Sequence, residues 1–120
     1  MNEDELELNE KNSDIYSLLV AADIENAFVD VTREQVIVSY DIPENIGKEA
    51  SWYYIMGAVA GVAPDSEELK IQSFVNDKPG EEVTVRIKHI RDYLEGNITD
   101  SDFKSKLVIN RPAFNETTNS

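Results

Sequence analysis

The chain has 120 residues, enough for one domain, and its 24 acidic against 11 basic side chains give a formal net charge of −13, which repels phosphate backbones and anionic lipid. It has no cysteine and a single histidine, His89. That excludes disulfides, thiolate nucleophiles and cysteine-ligated metals, and leaves any Ser–His–Asp arrangement to one imidazole.

Residues 1–12 hold five acids, one lysine and two isolated leucines. So little apolar area cannot offset the entropy of ordering, so this segment is expected to be a disordered acidic tail. Ser13 and Asp14 read as an N-cap and a first-turn acid, with Ile15, Leu18, Leu19 and Ala22 at helical spacing behind them, which predicts a helix over about 14–25. Phe28–Val31 and Val36–Ile42 are β-branched runs separated by a short polar break, a hairpin ended by Pro43. A second helix is expected from Gly47 or Lys48 to Pro64, with no charge between Ala50 and Ala63. Leu69–Val75 and Val83–Lys88 alternate around the turn signal Asn76–Gly80 and predict a second hairpin. Ile90, Tyr93 and Leu94 give a short helix closed by Gly96, and Thr99 caps another turn or two in which Phe103 and Leu107 make the apolar contacts. Val108 and Ile109 can add a last extended piece. Residues 111–120 are expected to be a disordered C-terminal tail, so the ordered domain is residues 13–110.

The order α-β-β-α-β-β-α(-α) predicts an α+β two-layer sandwich, with a four-stranded, mainly antiparallel sheet and helices packed on one face. Its cyclic permutation resembles the ferredoxin-like β-α-β-β-α-β arrangement. The mixture of helices and hairpins resembles that of type III secretion chaperones. Both are similarities of element order, and no family motif accompanies them.

Two surfaces stand out as candidates. Period-two alternation sends Phe28, Ile37 and Phe74 to the sheet face opposite the core, with Lys70, Arg86 and Lys88 as a basic rim suited to an acidic partner. The chain's own Glu3, Asp4, Glu5 and Glu7 could compete for that rim. A C-terminal segment carrying Phe103 and Leu107 is the expected alternative cover for the same face. On the second helix, Trp52, Ile55, Met56, Val59 and Val62 share one side and are expected to fill the core, while Ala50, Tyr54, Gly57 and Gly61 share the other. The small side is expected to be a close-packing seam for another helix of the chain or for a second copy.

Chemistry motifs are sparse. There is no glycine-rich phosphate loop, and Asp100-Ser101-Asp102 lacks the glycine and terminal glutamate of a calcium loop. No cofactor or metal is implied, and His89, beside Lys88 and Arg91, reads as an exposed residue at a helix start. The expectation is a non-catalytic interaction domain that binds a protein partner or itself, without nucleic acid or direct membrane insertion. An acidic start and the lack of a 20-residue apolar run read as cytoplasmic. One alternative is an extracytoplasmic module cut from a membrane-anchored protein, for which the sequons at Asn97 and Asn115 leave room. Another is a small enzyme with paired carboxylates in a cleft between the second helix and the sheet.

Overall fold

A computed structural model describes residues 3–24 and 26–111. In chain order the elements are α1 (Glu3–Ala21), β1 (Phe28–Val31), β2 (Gln35–Asp41), α2 (Lys48–Val62), β3 (Glu68–Val75), β4 (Lys78–Arg86), α3 (Ile87–Leu94), α4 (Asp100–Ser105) and β5 (Val108–Asn110). The strands form one sheet in the order β1-β2-β3-β4-β5.

The α+β class is as expected, but the sheet is five-stranded and mixed. Hairpins pair β1 with β2 and β3 with β4 antiparallel, and β5 adds antiparallel to β4 through Glu82↔Asn110 and Thr84↔Val108. The seam between the hairpins, β2 with β3, is parallel, because α2 carries the chain back along the sheet before β3 begins. Since β2 and β3 are direct neighbours, no strand splits this βαβ unit, and the ferredoxin-like order is not adopted.

The first correction concerns residues 3–12. They are not set apart as a tail but extend α1 back to Glu3. The Asn12 side chain accepts a 2.8 Å hydrogen bond from the Val31 amide, and Leu8 packs at the margin of the core. The helix ends in a Schellman motif: Asp23 takes a left-handed φ of 65°, Asp23 N–H bonds Val20 O, and Ile24 N–H bonds Leu19 O. Residues 112–120, the rest of the expected C-terminal tail, lie outside the described residues.

The second hairpin also differs from expectation. Its turn is just Asn76-Asp77, both left-handed, and β4 starts at Lys78 rather than near Val83. That is the turn geometry whose twist matches the flanking strands. Between the Gln72↔Glu82 and Phe74↔Pro79 pairs the register shifts, so Ser73 faces both Gly80 and Glu81 in a bulge. A Cβ at Gly80 would stand 3.2 Å from the Ser73 carbonyl oxygen, a tight approach that glycine avoids. Pro79 is accommodated because β5 pairs only with residues 82–84 of β4.

The core lies between the helices and one sheet face. Val36, Val38, Tyr40, Leu69, Ile71, Val83 and Val85 are buried from the sheet, and Ile15, Leu19, Trp52, Ile55, Met56, Val59 and Phe103 from the helices.

Candidate interaction surfaces

The sheet face away from the helices is built in rows by the pairing registers. Phe28, Ser39, Gln72 and Glu82 form one row; Asp30, Ile37, Lys70, Thr84 and Val108 form the next. Gln35, Glu68 and Arg86 flank them at one end, and Asp41, Phe74 and Pro79 at the other. Side-chain hydrogen bonds tie the strands together: Gln35 Nε2 to Glu68 Oε1 at 2.8 Å and Ser39 Oγ to Gln72 Oε1 at 2.7 Å. No element of the described chain covers this face. The alternative cover fails because Phe103 is buried with the helices, its ring stacked on Tyr93 with centroids 4.5 Å apart. Leu107 likewise packs against the core.

The expected basic rim is not assembled. Lys70 and Arg86 are on the face, but Lys88 is the second residue of α3. Asp30, Asp41, Glu68 and Glu82 are interleaved with the two cations, so the face is acidic overall. Charge complementarity with the chain's own N-terminal acids therefore has no basis, and Glu5 and Glu7 are carried on α1, in the other layer. Phe28 is 58% exposed, while Ile37 and Phe74 are half-buried. Phe28 and Phe74 line one shallow depression of about 260 Å³ with Asn26, Ser39, Tyr40, Asp41 and Asp77.

The second surface is the outer side of α2. Trp52, Ile55, Met56 and Val59 are buried toward the sheet, as the helical spacing requires. Ala50, Tyr54 and Gly61 are exposed and Gly57 is half-exposed. The expected seam inside the chain is absent: a Cβ at Gly57 or Gly61 would meet nothing within 4 Å. α1 packs along one flank instead, where the 38% exposed Tyr54 donates its hydroxyl to Leu18 O at 2.6 Å and Leu18 itself is 39% exposed. Among the described residues, the outer side of α2 from Ala50 to Val62 thus shows neither charge nor a covering helix.

Between α2 and the sheet, the described residues place apolar side chains and a buried polar network. The Tyr40 and Ser51 hydroxyls share a short hydrogen bond, Ser51 Oγ bonds Lys48 O, and Trp52 Nε1–H donates to Ser73 Oγ at 2.9 Å. Burial raises the Tyr40 phenol, partly offset by its bonds to Ser51 and Ser73. With no buried side-chain donor or acceptor unpaired among the described residues, the network fixes α2 on β2 and β3. Sequence reading missed it, although Ser73 continues the inward series of Leu69 and Ile71. Burial, then the Lys106 and Lys88 charges, lower the His89 pKa from its ordinary value. Hydrogen bonds from Tyr93, then Lys104, lower the Asp100 pKa from its ordinary value.

Among the described residues, no group of three or more His, Asp or Glu side chains is placed to hold a metal ion. No described helix is long and apolar enough to cross a membrane. Comparison with protein-family models, curated proteins and solved structures gives no match.

Proposed function

We propose that this chain is a non-catalytic interaction domain that self-associates through the outer side of α2. The observation that supports this most is electrostatic. Two bodies that each carry −13 repel overall, so a self-contact costs least where neither surface shows charge. From Ala50 to Val62, α2 offers such a strip, outward-facing at Ala50, Tyr54, Gly57 and Gly61, with the Leu18 side chain beside it. A two-fold contact uses the same patch on both copies. Small residues there let two helix backbones approach closely, and Tyr54 and Leu18 supply apolar area at the margin.

The test is light scattering on the eluting peak of a sizing column. Wild type is expected to run at twice the chain mass at micromolar concentration. Gly57→Glu is expected to run as a single chain, since it sets a carboxylate in open space on the monomer but against its own copy in the dimer. A wild-type chain that remains single up to millimolar concentration contradicts the proposal.

A further inference from the structure

The depression between Phe28 and Phe74 has a lining that selects one kind of guest. We infer that it receives a cationic side chain, an arginine or lysine presented by a partner protein. Two aromatic side chains, Phe28 and Phe74, line it together with the Asp41 and Asp77 carboxylates, while no lysine or arginine is among the lining residues, and aromatic rings beside carboxylates favour a cationic guest. The registers explain the arrangement. Phe28 lies opposite Ser39 on β2, and Phe74 lies opposite Asp41, so the depression straddles the end of β2. The bulge at Ser73 comes immediately before Phe74, and the left-handed turn Asn76-Asp77 brings Asp77 back to the rim.

Size and charge limit the occupant. About 260 Å³ falls below the roughly 300–1,000 Å³ of small-molecule pockets and suits one side chain. Ser39 Oγ donates to Gln72, which leaves the hydroxyl oxygen free to accept from an incoming N–H group. A basic partner is drawn by the −13 field, and the ring pair then distinguishes this site from the rest of an acidic surface. The site lies on the sheet layer, away from the outer side of α2, and does not depend on self-association.

The probe is a tetra-arginine peptide, with tetra-citrulline as its uncharged counterpart, followed by amide chemical shifts of the full chain. Arginine-dependent shifts should centre on Phe28, Ser39, Asp41, Phe74 and Asp77, and citrulline should give none. The Phe28→Ser, Phe74→Ser double variant should bind at least tenfold more weakly. Asp14→Asn on α1, which removes one carboxylate away from the depression, should bind as wild type does. Asp41→Asn with Asp77→Asn gives a second test that leaves both rings in place, and it should also weaken binding at least tenfold. Gly57→Glu should bind the peptide unchanged, which separates this site from the α2 proposal. Shifts spread evenly over the acidic surface, wild-type affinity in either the ring variant or the carboxylate variant, or no arginine-dependent shift would each overturn the inference.

Discussion

Asp23 holds a left-handed backbone that an L side chain adopts at a cost of about 1–2 kcal/mol, and it does so where glycine most often ends a helix. Asp23→Gly is therefore expected to raise stability by up to about 1 kcal/mol in urea titrations, since the Schellman bonds from Asp23 and Ile24 are main-chain bonds and survive. Trp52 makes the opposite case. It is 4% exposed and its indole N–H is spent on Ser73. Trp52→Ala should cost about 3–5 kcal/mol, read by circular dichroism during denaturation. Its burial was legible from helical spacing, but its hydrogen bond was not, because nothing local in the sequence pairs position 52 with position 73. His89 gives a pH signature. Burial and the Lys106, Lys88 and Arg86 charges favour the neutral ring, against a weaker pull from Asp92. Its folded pKa lies below the unfolded value, so the unfolded chain binds more protons, and this contribution to stability is lost as pH falls through the ordinary histidine range. Proton NMR should place the His89 midpoint below about 6.5; a midpoint above it would contradict the described surroundings.

At the scale of elements, the sequence misleads most about α1 and β4. The acids before Asn12 suggest a chain with nothing to bury, yet Leu8 and Ile15 lie seven residues apart, and both reach the core cluster. Asn12 also satisfies the outward amide of Val31 at the sheet edge, a contact across 19 residues that local periodicity does not show. Asn12→Ala should expose that amide and cost about 1 kcal/mol, with faster hydrogen exchange at Val31 as the specific readout. Unchanged exchange there would mean that the helix does not guard β1. The early start of β4 was obscured by Lys78-Pro79-Gly80, which reads as loop but here occupies the end of a strand beyond the reach of β5. The short helices were clearer: Thr99 caps α4 by accepting from the Asp102 amide, and Gly96 closes α3 at a φ of 80°.

Over the whole molecule, helices on one side of the sheet and a hydrogen-bonded polar face on the other follow from strand alternation, and both strand hairpins were legible. The parallel seam was not. It depends on α2 crossing back along the sheet, and alternation within β2 and β3 is the same for either direction of pairing. The candidate sites divided in the same way. Phe28, Ile37 and Phe74 could be assigned a face from parity alone, but the acids among them came from neighbouring strands, and Lys88 left the sheet when α3 began. The small side of α2 was visible as an uncharged run, while its lack of an internal partner required the packing of α1 and α3 on either flank.

The central claim is that two such chains meet through that uncharged side. Sedimentation equilibrium of wild type and Gly57→Glu at matched concentrations tests it most directly, because a Cβ at Gly57 would meet nothing within 4 Å in the single chain and the variant should fold as the parent does. The account predicts a two-chain mass for wild type and a one-chain mass for the variant, with the variant's denaturation midpoint at or above that of wild type diluted to single chains, since glutamate favours the helix over glycine. Equal masses for the two proteins would contradict it.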